Sequence, residues 1–264
     1  SIRLLQRTVH LWLFGFLLST LPGAEWLWLH PPTAPLPAPP GLLTPLTLAW
    51  GTCLPVGLAW VAVALVMVLA LYSVFRPSRW WITLVEWVLF SSLVNLAWLS
   101  ATGGHQLIAN VLFWMIFLPS GEQQAPLVGK VHLAQVLQVA AFWIIRLQLL
   151  LAYAVTGVLK LTGVHWLAGD AVGIVATDAR FGPLWLAGMP WLAVLVNYGA
   201  LLFQLTFPLA VWWRPTRYWW MAMGVVFHMS TGFAFDILDM GLAFLAVYPV
   251  WFRTGEAVQA RGRV

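Results

Sequence analysis

Three side chains able to do polar chemistry stand at seven-residue intervals in the stretch RLQLLLAYAVTGVLKLTGVHW: Arg146, Tyr153 and Lys160. At about 100° per residue, seven steps return to nearly the same face of an α-helix. A guanidinium, a phenol and an amine would then form one stripe on an otherwise apolar rod. An amine in an apolar pocket has its charged form disfavoured and can serve as a base near neutral pH. A lysine at a helix end can equally snorkel to the membrane surface. Arg146 has a matching pair of readings: it orients a ligand, or it locks a helix bundle through a carbonyl or carboxylate.

Two histidines extend this set. His105 follows Gly103-Gly104, where it either starts a helix through a structural hydrogen bond or joins Lys160 as a second titratable group. His228, in VVFHMSTGFAF, either bonds a neighbouring helix or lines the same cavity. Gln148, Asn197 and Gln204 supply further interior hydrogen-bonding groups. No metal site is expected. There is no HExxH and no His pair at i, i+4, His165 is isolated, and Cys53 is the single cysteine. Asp236 and Asp239 read as capping or solvating the last helix. No glycine-rich phosphate loop occurs.

The elements that must carry these residues are membrane helices. The 264-residue chain is 62% hydrophobic and 8% charged, with a mean hydropathy of +0.87. A soluble domain carries about 25% charged residues, so this chain cannot cover a water-facing surface. A spanning helix needs about 20 apolar residues. Candidates run over Val9–Leu29, Pro55–Phe75, Trp80–Leu99, His105–Leu118, His132–Leu159, Trp191–Trp213, Tyr218–Phe235 and Ile237–Phe252. The fold expected is all-α: a polytopic transmembrane bundle of about eight spans. The fourth and eighth candidates are short. PPTAPLPAPPG, Pro31 to Gly41, reads as a stiff extended connector. One transmembrane domain over residues 1–264 is expected, with no soluble domain and no internal repeat.

The basic residues give this bundle an orientation. With the N-terminus inside, ten of the 13 fall on the cytoplasmic side: Arg3, Arg7, Arg76, Arg79, Lys130, Arg214, Arg217, Arg253, Arg261 and Arg263. Lys160 and Arg180 fall outside, with Glu25, Asp170, Asp178, Asp236 and Asp239. An even number of spans with both termini cytoplasmic follows, in a membrane such as the bacterial inner membrane. The net charge of +5 is thus a topology signal, and no nucleic-acid partner is expected. Tryptophans near segment ends, such as Trp26, Trp80, Trp191 and Trp251, fit aromatic belts at the headgroups.

The stretches GGHQLIANVLFWMIFLPSGE, RLQLLLAYAVTGVLKLTGVHWLAG and FHMSTGFAFDILDMGLAF resemble successive landmarks of the HTTM domain. This is the membrane domain shared by vitamin K-dependent γ-glutamyl carboxylases and many bacterial proteins. The resemblance runs from about Trp80 to Phe252. It is most specific in Arg-x-Gln-x4-Tyr-x3-Gly-x2-Lys-Leu, followed by Trp. It implies a quinol-dependent, carboxylase- or epoxidase-like chemistry in which a membrane-embedded lysine deprotonates the vitamin hydroquinone. Lys160 matches that lysine, and His105 matches the histidine that assists near the glutamate. Arg146, Gln148, Tyr153 and Gly157 match the helix leading to the lysine, and His228 matches a late landmark. The resemblance therefore implies catalytic Lys160 and His105, and a quinone or quinol held by Arg146, Gln148, Tyr153 and His228. The soluble region that lets carboxylases hold a protein substrate has no expected counterpart here.

Two functions are consistent with the sequence. One is an enzyme or binding protein for a quinone-like lipid, entered sideways from the bilayer. The other is a non-catalytic subunit of a larger photosynthetic, respiratory or export complex, with membrane lipids and other membrane subunits as partners.

Overall fold

The structure, a computed structural model, describes residues 2–29, 58–119, 133–178 and 182–252. The proline-rich stretch 31–41, Cys53, Lys130, Arg180, Arg253, Arg261 and Arg263 lie outside the described residues. Among the described residues all regular structure is helical. The longer helices are α1 (Ile2–Thr20), α2 (Ala59–Phe75), α3 (Trp80–Leu96), α4 (Gly103–Met115) and α5 (Leu133–Leu161). Three short helices follow, α6 (Val164–Ala168), α7 (Ala171–Ala176) and α8 (Leu184–Ala187). Then come α9 (Pro190–Ala210), α10 (Arg214–Ala234) and α11 (Leu238–Val247), closed by a tight turn at Tyr248–Trp251.

Each of the eight apolar runs overlaps a helix, and these helices differ in length. Among the described residues, three segments are long and apolar enough to cross a bilayer: Ile2–Gly23, Leu133–Leu161 and Pro190–Ala210. At 1.5 Å per residue, α5 reaches about 43 Å, while the 17 residues of α2 or α3 reach about 25 Å against a hydrocarbon core of about 30 Å. The 21-residue α10 is long enough, but Arg214, Thr216, Arg217, His228 and Ser230 dilute its hydropathy.

The chain divides into two compact units, Ser1–Ile145 with Ala246–Val264, and Arg146–Leu245. In the first unit, α1 packs against α2 and against the final turn, and α3 packs against both α2 and α4. Arg3 fixes the register of α1. Its guanidinium donates to the carbonyl oxygens of Ser73 and Val74 at 3.0 and 3.1 Å, so it closes the C-terminal turn of α2. Thr8 Oγ1 donates to the Ala246 carbonyl at 2.6 Å. The core here is aliphatic and aromatic: Leu5, Val9, Leu13, Leu17, Val66, Phe90, Leu93, Ile108 and Trp251 are buried.

In the second unit, the last half of α5 and helices α6 to α11 enclose another core. Val172, Ala176, Leu186 and Ala193 form one cluster, flanked by Trp166, Leu192, Val196 and Phe235. Pro190 opens α9, where the missing N–H costs nothing. Arg217 caps its other end, donating to Val211 O at 2.9 Å and Trp212 O at 3.4 Å. Gly157 lets α5 approach α9, because a Cβ there would meet Leu205 Cδ2 at 3.0 Å and the Gln204 backbone at 3.3 Å. Gly241 does the same between α11 and α10: a Cβ would stand 2.7 Å from the His228 carbonyl oxygen.

Candidate functional site

The heptad stripe on α5 forms as the spacing predicts, but its members meet different surroundings. Tyr153 is buried, whereas Arg146 and Lys160, one on each side of it, are half-buried. Tyr153, on α5, meets three further helices. Its ring lies 4.4 Å from Phe207 and 5.5 Å from Phe203, both on α9, and 5.3 Å from Phe244 on α11, centroid to centroid. The third is α10. The Tyr153 hydroxyl and His228 Nε2 share a hydrogen bond, and the imidazole stacks on Phe244 at 4.9 Å. A phenol–imidazole pair in an aromatic shell is a strong interaction, because little solvent competes for it.

Replacing Tyr153 with Phe keeps the aromatic shell and removes the hydroxyl. The buried His228 Nε2 loses this bond, and we expect a stability loss of about 1–3 kcal/mol. Unfolding of the purified chain in mixed micelles checks it. A variant as stable as the wild type would show that the bond contributes nothing net.

Lys160 stands in the last turn of α5, where a cation complements the helix C-terminus. Its Nζ lies 4.8 Å from the centroid of the Trp166 ring. The neighbouring backbone holds that indole. Asn197 Nδ2 donates to the Trp166 carbonyl at 3.0 Å, and the Tyr198 hydroxyl donates to the Leu167 carbonyl at 2.8 Å. Gly169, at φ +85°, turns the chain there against the Tyr198 ring. Lys160 is therefore seated on an aromatic face rather than extended freely into the surroundings. Arg146, Gln148, Tyr153, Lys160 and His228 all belong to the second unit.

His105 belongs to the first unit. It is buried and closes a capping box with Thr102: Thr102 N–H donates to His105 Nδ1 at 2.8 Å, and the two side chains meet at 2.9 Å. A box of this kind usually uses Glu or Gln at the third position; here the imidazole does it. With Nδ1 accepting, the neutral ring carries its proton on Nε2 and acts as a donor from that atom. Its ring packs 4.4 Å from Phe16 and 5.8 Å from Trp12.

Several buried acceptors lack a hydrogen-bond partner among the described residues. In the second unit these include Gln148 Oε1, Asn197 Oδ1 and Gln204 Oε1. No group of three or more His, Cys, Asp or Glu among the described residues is placed to hold a metal ion. His165 instead pairs with Asp170 at 3.1 Å on the surface. Asp239 falls in the first turn of α11, and Asp236 takes a left-handed φ of 53° in the turn before it.

Sequence reasoning missed His10 and Glu86. Both are fully buried near the middle of their helices, with His10 Nε2 2.9 Å from Glu86 Oε2. Each is a lone titratable residue inside an apolar run, and that was the available signal. Their pairing depends on how α1 packs, which no spacing rule reveals.

Neither the curated proteins nor the solved structures contain a match to this chain. The model of one family, described as the HTTM domain, matches residues 42–255. The match begins well before the Trp80 boundary read from the landmarks, and includes both the α5 stripe and the α10–α11 pair. The HTTM domain is a membrane domain, in keeping with the three helices among the described residues that are long and apolar enough to span a bilayer. A match over most of the chain shows its kinship: this protein belongs to the HTTM domain family.

Proposed function

We propose that this HTTM protein binds a quinol-class lipid in its second unit, with Lys160 as the base. One observation carries the reading: the buried Tyr153–His228 hydrogen bond inside the shell of Phe203, Phe207 and Phe244. An apolar, aromatic surround with a few fixed polar groups suits a flat ring carrying oxygen atoms. The acceptors Gln148 Oε1 and Gln204 Oε1, without partners among the described residues, call for a ligand that donates. A quinol has two hydroxyl donors, whereas a quinone only accepts. The residues therefore fit the reduced form better.

When bound, such a group supplies acidic hydroxyls and two-electron chemistry. The chain contributes the rest. Gln148 and Gln204 accept hydroxyl protons in hydrogen bonds, and Tyr153 with His228 fixes the ring plane. Arg146 orients charge on the same helix face, and the half-buried Lys160 receives a proton at Nζ and passes it on to water. Trp166 and the Asn197 and Tyr198 contacts keep that amine from wandering. The topology proposed is the one given by the basic residues, about eight crossings with both ends cytoplasmic, the short helices thinning the bilayer locally.

Lys160→Met removes the amine and preserves the length and apolar stem. We expect the variant to fold normally and to lose quinol-dependent proton release. Tryptophan quenching by a short-chain menaquinol in nanodiscs, followed with a pH indicator, reads both binding and release. Binding and proton release equal to those of the wild type would show that Lys160 has no such role.

A further inference from the structure

The buried pair His10–Glu86 lies outside the set of residues assigned to quinol binding, and His10 lies outside the family match as well. A buried ion pair is a weak source of stability, since apolar residues of similar volume often serve as well or better. In a membrane helix such a pair more often marks a path for ions or protons. The local geometry favours the second role. His10 Nδ1–H donates to the Gln6 carbonyl at 2.6 Å, which turns Nε2 to Glu86 Oε2 at 2.9 Å. Only one proton fits on that line, giving imidazolium with carboxylate or imidazole with carboxylic acid. The second carboxylate oxygen, Oε1, is buried and has no hydrogen-bond partner among the described residues.

A polar line leads from this pair to one end of the unit. Arg3, Gln6 and His10 share a face of α1 at spacings of three and four. Arg3 is partly exposed, at the end of α2. Next to it Ser73 Oγ is buried with no partner among the described residues. Gln6 Nε2 donates to the Pro119 carbonyl at 3.4 Å, and Gln6 Oε1 likewise lacks a partner among the described residues. Past His10 the same face turns apolar with Leu13 and Leu17, and Trp12, Phe16 and Phe90 pack together beside them. His105 sits against Trp12 and Phe16.

We propose that His10 and Glu86 form an intramembrane proton-binding site, reached from the Arg3 end of α1. The pair keeps one proton between Nε2 and Oε2. A second proton adds at Oε1, producing imidazolium beside a neutral carboxylic acid and raising the charge of the pair by one. The groups on the surrounding elements are few. Arg3 and Arg7 lie towards the start of α1, Arg76 and Arg79 stand between α2 and α3, and Tyr72 is near the end of α2. Tyr248 belongs to the final turn, His105 to α4 and Glu25 to the segment following α1. Glu86 is the only carboxylate on α1 to α4.

The test uses the full chain in lipid nanodiscs with 13C-labelled glutamate and infrared detection. Its glutamates are Glu25, Glu86, Glu122 and Glu256. We expect a protonated-carboxyl band in the labelled range that grows on acidification with the amplitude of one group. The band disappears in Glu86→Gln. It also leaves the labelled set in Glu86→Asp, which keeps a carboxyl group if the glutamine variant fails to fold. Gln6→Leu slows hydrogen–deuterium exchange of the band. Glu86 held as carboxylate at every pH where the chain stays folded would overturn the site. So would a band unchanged in Glu86→Asp. Exchange unaffected by Gln6→Leu would overturn entry from the Arg3 end.

Discussion

His10→Leu alone is expected to lower folding stability by about 3–5 kcal/mol, whereas His10→Leu with Glu86→Leu should return it close to the wild-type value or above. The single variant leaves a carboxylate in a space with no exposure, stripped of the imidazole 2.9 Å away. The double variant removes both polar groups and leaves apolar side chains among Leu5, Val9, Leu13 and Phe90. Such a recovery is the mark of a pair that is costly when broken but not needed for packing, which is what a site retained for proton binding should show. Unfolding by dodecyl sulfate titrated into mixed micelles provides the cycle. If the double variant is as unstable as the sum of both singles, the two residues stabilise independently and the pair is structural.

The second large effect is expected at Gly241. An alanine Cβ would stand 2.7 Å from the His228 carbonyl oxygen, well inside contact distance, and the atom it meets is backbone. The helix must move, because no side-chain rotation relieves the clash. We expect a loss of about 1–3 kcal/mol for Gly241→Ala, and more for valine. The displacement acts on the residue that Tyr153 holds, so binding of a quinol probe should weaken in parallel. Gly199→Ala is the matched control. Nothing lies within 4 Å of its Cβ position, and alanine in a helix interior gains up to about 1 kcal/mol over glycine. Equal stability of the two variants would show that α10 and α11 do not approach as closely as described.

The helices were legible because apolar runs leave few alternatives in this composition. The boundaries of α1 were less so. Arg3 and Arg7 read as loop charges ahead of Val9, yet the helix begins at Ile2, because Arg3 turns its guanidinium onto the exposed carbonyls of α2. Helix lengths are less legible, because hydropathy reports apolarity but not the residue at which a helix stops. α4 ends at Met115 after 13 residues, and the turn at Asp236 separates α10 from a short α11.

The candidate site was legible to the extent that it lies on one helix. The period of α5 put Arg146, Tyr153 and Lys160 on one stripe, but not their different depths, which depend on where Phe203, Phe207 and Phe244 close around the middle of it. His228 was named from its place in the sequence, while its bond to Tyr153 follows from the packing of α10 through Gly241. His105 reads in the sequence either as a helix-starting hydrogen-bonding residue or as a second titratable group, and its capping box with Thr102 fits the first.

The proposed quinol site is defined by where the ring sits. Photo-crosslinking with a diazirine-bearing menaquinol analogue, on the full chain in nanodiscs, measures this directly. Labelled peptides are expected from α5 around Tyr153, from α9 around Phe203 and Phe207, and from α10–α11 around His228 and Phe244, with competition by unlabelled menaquinol. Label spread over the lipid-facing surface, or label that unlabelled menaquinol does not displace, would contradict it.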